Sequence, residues 1–475
     1  MTDLISEEVG GRVVTFNDQF FAEAGNLLVN SAPAWKEGKF TDRGKWMDGW
    51  ETRRRREPGH DWCVLALGVP GRISRVTIDT AHFTGNYPEE FSLEACGVGV
   101  DERLGDAQWV EVISPTRLKG DSVAEFDVVD AHRVTHLRFN IYPDGGVARL
   151  RVEGEPIPGM NQVCPEGQTD LLAAGLGGLA LDASDVHYSA PSNLLRATSP
   201  AGMWDGWETR RRRGPGHDWA TFRLGIAGHV ERVEVDTRHF KGNSPGWVSI
   251  DVSDDGETWT EVIDKAPVQP DSLNDVDLAE PARTEYLRLS IHPDGGVARL
   301  RAWGRPDPEL AAEKRLHYLN SLFTQEARLF FETTCSAKKW VRSMFSSRPF
   351  PDVATVFTSA EEAFANLREE DWLEAFAGHP RIGERGDDVE NREQAGVSTA
   401  TDALIAELEE VNRLYEDKFG FIYIVYASGK TAKEMLEIAR QRVSNTREDE
   451  IPRASEQQKA ITETRLRRML CQVSD

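Results

Sequence analysis

The sequence contains few cysteines, no long apolar run and no excess of positive charge. Its five cysteines include no Cys-x-x-Cys pair, which suits a reducing cytosol better than a disulfide framework. No window approaches the roughly 18 apolar residues of a membrane-spanning helix, and the first residues lack the basic and apolar regions of a secretory signal. The net charge of −23 argues against general binding to nucleic acid or to an anionic membrane. We therefore expect a cytoplasmic protein.

One polar sequence block occurs twice in the chain. Asp48–Trp62 reads DGWETRRRREPGHDW and Asp205–Trp219 reads DGWETRRRRGPGHDW, identical at fourteen of fifteen positions. Two further blocks recur in the same order, Ile78–Pro88 as Val235–Pro245 and Ile141–Arg151 as Ile291–Arg301. Most of the repeated residues are charged residues, histidine or glycine, which rarely fill a core. The repetition therefore indicates a polar site, or a polar structural device, that is built twice.

The spacing of apolar and turn residues along the chain predicts two kinds of domain. Short alternating runs such as RISRVTIDT and HVERVEVDT, separated by Gly, Pro, Asn and Asp clusters, are typical of a β-sandwich or jelly roll. Beyond about residue 310 the apolar residues take helical spacing, as in Leu404, Leu408 and Val411. We predict a multidomain β plus α protein with two tandem jelly-roll β-sandwich domains followed by an all-α helical domain. The predicted bounds are 1–160 and 161–306 for the repeats, 307–314 for a linker and 315–475 for the helical domain.

Capping patterns predict two helix starts in the helical domain. Ser359-x-x-Glu362 and Thr431-x-x-Glu434 both fit a capping box before apolar residues. Phe421–Tyr426, FIYIVY, is the one segment there that could pass for a strand.

The two arginine runs support two hypotheses. Alternate side chains on an extended chain point to opposite sides, so at least two of Arg53–Arg56, and two of Arg210–Arg213, should share a side. A guanidinium pair suits the clamping of a substrate carboxylate. The alternative is a set of ion pairs that tie one copy to the other, with Asp48, Glu51, Asp61 and Asp79 as available partners.

Two histidine positions also recur, His60 with His217 and His82 with His239. A histidine beside an aspartate can act as a base that the carboxylate orients. The same groups could bind a divalent metal, but no HxH or HExxH spacing supports this. We do not favour a metal site.

The repeated DGWETRRRR..GHDW, DTxHFxGN and PDGGVARLR blocks resemble those of the allantoicase family over roughly residues 1–305. This resemblance implies two tandem jelly-roll repeats and the hydrolysis of allantoate, a small carboxylate substrate, to ureidoglycolate and urea. The proposed catalytic residues are His60, His217, His82 and His239. The proposed substrate-binding residues are Arg54, Arg56, Arg211, Arg213, Asp48, Asp205, Glu51 and Glu208.

The C-terminal third resembles OHCU decarboxylase, the ureidoimidazoline decarboxylase of urate breakdown. HPRIG at His379–Gly383, ENREQAGV at Glu390–Val397 and the later YEDKFGF and RVSN segments carry the resemblance. It implies decarboxylation of OHCU to allantoin without a cofactor. The implied catalytic pair is His379 and Glu393, and the implied substrate-binding residues are Arg442, Pro380 and Gln394. Glu390 departs from the family, which usually has Ser at this position.

Four questions stay open at this point. The helical domain could be a degenerate or regulatory scaffold because of Glu390, which would leave an allantoicase only. The jelly rolls could instead be small-ligand binding modules with Trp50, Trp62, Trp207 and Trp219 as platforms, although the flanking arginines favour a small anion. The sequence also leaves open a homo-oligomer, and whether the two repeats form one active site or two.

Overall fold

The computed structural model describes residues 2–98, 103–163, 167–380 and 402–470. The chain divides between Phe323 and Thr324 into two units. The first unit contains both repeats, and the second is helical.

Among its described residues, the first repeat contains twelve strands. They are β1 (Thr2–Asp3), β2 (Arg12–Phe16), β3 (Phe40–Thr41), β4 (Gly44–Lys45), β5 (Trp50–Glu51), β6 (Asp61–Asp79), β7 (Glu90–Cys96), β8 (Val110–Arg117), β9 (Val123–Asp127), β10 (Val134–Tyr142), β11 (Gly146–Val147) and β12 (Arg149–Pro156).

Strand β6 belongs to both layers of this sandwich. Its residues 61–66 pair with β10, and 63–66 also pair with β2. Its residues 71–79 pair with β12, and 75–79 also pair with β9. β7 pairs with β10, and β8 pairs with β7, which extends the first layer. Leu65 and Phe139 of the first layer and Val76 of the second are fully buried in one core. The predicted β-sandwich is confirmed.

The topology brings all three repeated blocks to one end of the sandwich. Asp61 pairs with Ile141 and Asp79 pairs with Arg149, so both termini of β6 lie beside the short connection 143–148. We call this end, formed by segments 48–60, 80–89 and 143–148, the arginine-loop end.

The second repeat has the same organisation. Its described strands are β13 (Thr169–Asp170), β14 (Leu179–Ala183), β15 (Trp207–Glu208), β16 (Asp218–Asp236), β17 (Trp247–Ser253), β18 (Thr260–Pro267), β19 (Leu273–His292), β20 (Gly296–Val297) and β21 (Arg299–Pro306). β16 pairs with β14 through residues 220–223 and with β21 through residues 228–236, as β6 does with its partners. Its arginine-loop end consists of segments 205–217, 237–246 and 293–298.

The predicted linker at 307–314 is largely helical, which corrects that part of the domain prediction. Helix α1 (Pro308–Ser321) begins directly after Asp307, with proline at its first position, where the missing N–H costs no hydrogen bond. Nε of Arg315 donates to the Val163 carbonyl at 2.8 Å and Nζ of Lys314 donates to the Leu176 carbonyl at 3.2 Å. The helix therefore packs on the first unit, and the predicted boundary at residue 315 lies inside it.

The second unit is all-α in its described part. Its helices are α2 (Thr324–Thr334), α3 (Lys338–Ser346), α4 (Val353–Ala365), α5 (Glu369–Ala377), α6 (Asp402–Phe419), α7 (Ala432–Arg442) and α8 (Arg447–Met469). Stacked aromatic rings join them: Phe364 lies 5.5 Å from Trp340 and 5.4 Å from Trp372, between ring centroids. No helix in the described ranges is long and apolar enough to cross a bilayer.

One of the two capping predictions is confirmed. Thr431 caps α7 and forms a capping box with Glu434. Ser359 instead lies inside α4, which begins after Asp352, whose carboxylate accepts the Thr355 N–H. Asp352 is therefore the N-cap of this helix, which begins earlier than the Ser-x-x-Glu pattern suggested. The segment 421–426 forms no strand.

Candidate functional site

Alternate arginines of the first run have different partners. Nε of Arg53 lies 2.6 Å from a carboxylate oxygen of Asp18, and Nη1 of Arg55 lies 2.6 Å from one of Asp61. Arg54 instead projects into solvent, with 78% of its side chain exposed and Asp144 at 3.9 Å. Arg56 is also exposed. The four arginines line a cleft of about 480 Å³.

The second run repeats this alternation. Arg210 pairs with Asp185 at 2.6 Å, and Arg212 pairs with Asp218. Arg211 and Arg213 are exposed. In both copies one half of the run is therefore fixed by carboxylates of its own repeat, and the other half faces solvent.

These ion pairs do not join the two repeats in the way that the second hypothesis predicted. Within the described ranges, the ion pairs of both runs stay inside one copy. A different pair connects the copies, Arg196 with Glu8 at 3.2 Å. The bridging role predicted for the runs is wrong. The exposed arginines of each run remain the candidates for binding a substrate carboxylate.

The PDGG turn holds each arginine loop in place. The backbone N–H of Arg55 donates to Asp144 at 2.9 Å, and that of Arg212 donates to Asp294 at 2.8 Å. Gly145 approaches the neighbouring loop so closely that a Cβ would lie 2.6 Å from the Pro88 nitrogen, and its φ is +146°. Only glycine fits this position.

A half-buried glutamate lies beside each arginine loop. Oε1 of Glu51 accepts a hydrogen bond from Nδ2 of Asn86 at 2.7 Å, and Glu208 accepts one from Asn243 at 2.7 Å. Burial raises the pKa of Glu51, against the lowering effect of the Asn86 hydrogen bond. A carboxyl group with a raised pKa at such a site is suited to proton transfer.

Asp48 and Asp205 are engaged in positioning the site. Each accepts a hydrogen bond from a buried arginine, Arg149 at 2.9 Å and Arg299 at 2.8 Å. Burial would raise the pKa of Asp48, but the hydrogen bonds of Arg149 and of the Ala34 amide outweigh it and lower that pKa. These contacts favour a structural role, and direct binding of substrate by either aspartate stays a prediction.

The recurring histidines lie in two different environments. The His60 ring packs 4.7 Å from the Tyr142 ring, and the His217 ring lies 4.6 Å from the ring of His292. Both are near the arginine loops but outside the run itself.

His82 and His239 hold the loops that they belong to. Both adopt left-handed backbone, with φ of 69° and 72°. Nε2 of His239 lies 3.0 Å from the Pro200 carbonyl, which can only accept, so this nitrogen must carry the proton. Among the described residues, no three His, Cys, Asp or Glu side chains converge as a metal-binding group.

The tryptophan-platform hypothesis is wrong for two of its four residues. Trp50 and Trp207 are fully buried, and their indole N–H groups donate to the carbonyls of Asp18 and Asp185 at 2.9 Å. Trp62 and Trp219 are half-buried.

Sequence reasoning missed several residues that shape the site. Asn86 and Asp144 lie inside the repeated blocks and recur as Asn243 and Asp294. This recurrence could have marked them as site residues. Asp18 and Asp185 lie in FNDQF and ASDVH, outside those blocks, so no repeated motif marked them.

In the helical unit, His379 lies two residues beyond α5. Its Nε2 is 2.8 Å from Oε1 of the fully buried Gln458, whose amide nitrogen Nε2 donates to Oγ1 of Thr462 at 3.2 Å. Pro380 follows directly. The predicted residues Glu393 and Gln394, like Glu390, lie outside the described residues.

Arg442 is buried in a polar network. Its Nε donates to Glu450 at 2.6 Å and its Nη1 to the Ile424 carbonyl at 2.7 Å. Tyr415 donates to the same glutamate at 2.5 Å, and Asn445 donates to it at 2.6 Å. These contacts support a structural role for Arg442, and its contact with substrate stays a prediction.

Comparisons with known proteins cover most of the chain. The family model of the allantoicase repeat matches residues 2–157 and 169–307, and that of OHCU decarboxylase matches residues 320–467. A probable allantoicase of Acinetobacter baumannii strain SDF is 42% identical over 318 residues, which cover 64% of this chain and 94% of the relative. One from Pseudomonas fluorescens strain SBW25 is 43% identical over 319 residues, covering 64% of this chain and 96% of that protein. The crystal structure of allantoicase from Saccharomyces cerevisiae is 36% identical with a TM-score of 0.53, and the match covers 64% of this chain and 92% of that one.

Proposed function

Because the chain belongs to the allantoicase family and joins its two repeats to an OHCU decarboxylase domain, we propose that the repeats hydrolyse allantoate to ureidoglycolate and urea, and that the helical domain decarboxylates OHCU to allantoin. The two domains together make it a bifunctional enzyme of purine catabolism.

The alternation within the arginine runs carries the proposal for the repeats. Arg54 and Arg56, with Arg211 and Arg213, present guanidinium groups to solvent, while their neighbours are held by Asp18 and Asp61 or by the equivalent aspartates. Planar guanidinium groups bind carboxylates in two-point geometry. The exposed arginines therefore take the carboxylate of allantoate.

In the hydrolysis a water molecule adds its hydroxyl to the carbon as the C–N bond breaks, and the departing urea nitrogen takes up a proton, which the water replaces on the protein. Glu51, with its raised pKa, is suited to supply this proton, and Asn86 orients its carboxyl group. Glu208, which accepts a hydrogen bond from Asn243, is the equivalent carboxyl group of the second repeat. His60 and His217 are the second candidates for proton transfer, and His82 and His239 keep the adjoining loops in position.

For the helical domain, His379 takes the hydroxyl proton of OHCU, and Glu393 completes the pair. No cofactor is needed, because the ring C=N beside the departing carboxylate accepts its electrons, and the protein must only orient the substrate and move protons. Pro380, Gln394 and Arg442 are the residues proposed to contact the substrate.

We place the protein in the cytoplasm, with small molecules as its partners. Three cysteines of the described ranges, Cys63, Cys96 and Cys335, are buried thiols that form no disulfide, which suits a reducing compartment.

The experiment is urea release from allantoate by the purified full-length chain, with and without a chelator. We expect release under both conditions, because arginine and carboxyl groups carry the proposed reaction. Release that stops with the chelator and returns with a divalent ion would overturn the metal-independent reaction. Absence of release under both conditions would overturn the hydrolase assignment.

A further inference from the structure

A second groove lies on the outer face of the first repeat, over the layer formed by β2, β6, β10, β7 and β8. Its volume is about 750 Å³. Trp62 and Trp109 contribute its aromatic surface, and Arg138, Glu94 and Glu111 contribute its charges. We call it the tryptophan groove. None of the exposed arginines of the run lines it.

The outer face of this layer differs from an ordinary solvated sheet face, where outward side chains are exposed and polar. Arg138 is only half-exposed, and its guanidinium carbon lies 4.4 Å from the Trp109 ring centroid. Nη1 of Arg138 also donates to Glu94 at 3.3 Å. The groove is thus a shaped surface, with the cation held between a ring and a carboxylate.

Carboxylates outnumber cationic side chains in the groove. Glu94 and Glu111 provide two carboxylates against the single guanidinium of Arg138. Nδ2 of Asn140 donates to Ser92 at 3.0 Å and to Glu94 at 3.2 Å, which fixes the amide and leaves Oδ1 as an acceptor. Within the described ranges this buried oxygen has no hydrogen-bond partner. The groove therefore favours a ligand that donates several hydrogen bonds and carries no negative charge at this point.

The arginine cleft lies next to the groove and has the opposite character. Consecutive residues line the two sites, His60 the groove and Asp61 the cleft. Thr15 of β2 likewise lines the groove, and Asn17, just after the end of β2, lines the cleft. Four arginines face three carboxylates in the cleft. An anionic group is thus expected in the cleft, and a neutral donor group in the groove.

We propose that the tryptophan groove of the first repeat binds the ureido arm of the substrate while the exposed arginines bind its carboxylate. A ureido group is flat, so it can stack on Trp62 or Trp109, and its N–H groups complement Glu94, Glu111 and Asn140. Its carbonyl accepts from Arg138. This inference rests on the proposed hydrolysis of allantoate and assigns specificity residues to the same site.

The second repeat provides a comparison within the same chain. Trp219, Trp259 and Arg288 stand at the equivalent positions, with Arg288 4.0 Å from the Trp259 ring centroid. Asn140 and Tyr142, however, are replaced by Ser290 and His292. Because Ser290 lacks the amide acceptor of Asn140, the proposal assigns the ureido arm to the groove of the first repeat alone. Trp259→Leu is the matched control for Trp109→Leu.

The test is calorimetric titration of the full-length chain with N-carbamoylglycine, which joins one ureido group to one carboxylate. Trp109→Leu is expected to weaken binding about tenfold, because it removes a stacking surface and the support of Arg138. Glu94→Gln keeps the shape of the side chain, removes a charged acceptor and weakens binding several-fold. Trp259→Leu leaves the affinity within about twofold of the unmodified protein.

Unchanged affinity in both Trp109→Leu and Glu94→Gln would overturn the proposal. An equal loss in Trp259→Leu would overturn it as well, since the effect would not then belong to the groove of the first repeat. Galactose is the probe for a sugar as occupant. Galactose binding that Trp109→Leu removes, without binding of N-carbamoylglycine, would also reject the ureido assignment.

Failure of the hydrolase assignment gives a different result. No urea release from allantoate, together with N-carbamoylglycine binding that depends on Trp109, would overturn the reaction and support the groove. Normal urea release, together with N-carbamoylglycine binding that the variants do not change, would support the reaction and overturn the proposal for the groove.

Discussion

At the scale of single residues, identical neighbours in the arginine run have different roles. Strand-like alternation predicted that two of the four would share a side, and the structure places Arg53 and Arg55 on carboxylates and Arg54 in solvent. Which two are fixed could not be predicted, because Asp18 lies outside every repeated block. The identity of a fixing partner depends on tertiary contacts across the sandwich.

Replacement of the exposed arginines should lower activity and leave stability unchanged. In Arg54→Ala combined with Arg211→Ala, we expect kcat/KM for allantoate to fall roughly tenfold to a hundredfold, the size of a lost charge-assisted hydrogen bond. The measurement is steady-state urea release together with a thermal melt. Arg305→Ala, an exposed arginine at the opposite end of the second repeat, is the control. Unchanged kinetics in the double variant would reject the clamp.

Replacement of a fixed arginine should act on stability instead. Arg55→Ala leaves the carboxylate of Asp61 buried without its cation, and we expect the free energy of unfolding to fall by about 3 kcal/mol. Chemical denaturation of Arg55→Ala and Arg54→Ala measures the difference. Equal stability of the two variants would contradict the alternation of roles.

Gln458 should position His379 in the helical domain. Its Nε2 donates to Thr462, so Oε1 faces His379 and holds the proton on the ring Nε2. Gln458→Leu is expected to lower kcat for OHCU about tenfold with little change in KM. Gln458→Glu should retain activity with a pH–rate profile displaced upward, because a carboxylate favours the imidazolium. Glu456→Gln, at an exposed neighbour, is the control. A profile unchanged in Gln458→Glu would indicate a purely structural role.

At the scale of secondary structure, sequence patterns predicted the strands well and their arrangement poorly. Alternation and turn residues mark the strands in each copy, but the course of β6 through both layers depends on which strands pair. The three repeated sequence blocks therefore meet at the arginine-loop end because of strand pairing, which the sequence patterns do not specify. The linker prediction failed at Pro308 for a related reason, since proline marks a break in a chain as readily as the first position of a helix.

The short strand β13 should make the first unit pH-sensitive. Burial raises the pKa of Asp170 from 3.8 to about 6, despite the opposing effect of Arg301. A raised pKa means that the folded state binds the proton more tightly, so this contribution to stability is lost as pH rises from about 4 to about 6. Between pH 4 and pH 7, unmodified protein should lose about 2 kcal/mol relative to Asp170→Asn. Denaturation of both at the two pH values measures this, and parallel curves would contradict it.

At the scale of the whole molecule, the two reactions are not consecutive. OHCU decarboxylation yields the cyclic allantoin, whereas the repeats act on the linear allantoate, so a ring-opening hydrolysis must lie between them. Direct transfer of one domain's product to the other is therefore not implied. Joint production of the two enzymes is the simpler advantage of the fusion, and the two sites should work independently.

The most direct test of this account measures both activities on two variants of the full-length chain. His379→Ala should lose OHCU consumption and keep urea release from allantoate, whereas Arg54→Ala combined with Arg211→Ala should lose urea release and keep OHCU consumption. Loss of both activities in either variant, or full urea release by the arginine variant, would contradict two independent sites with an arginine clamp in the repeats.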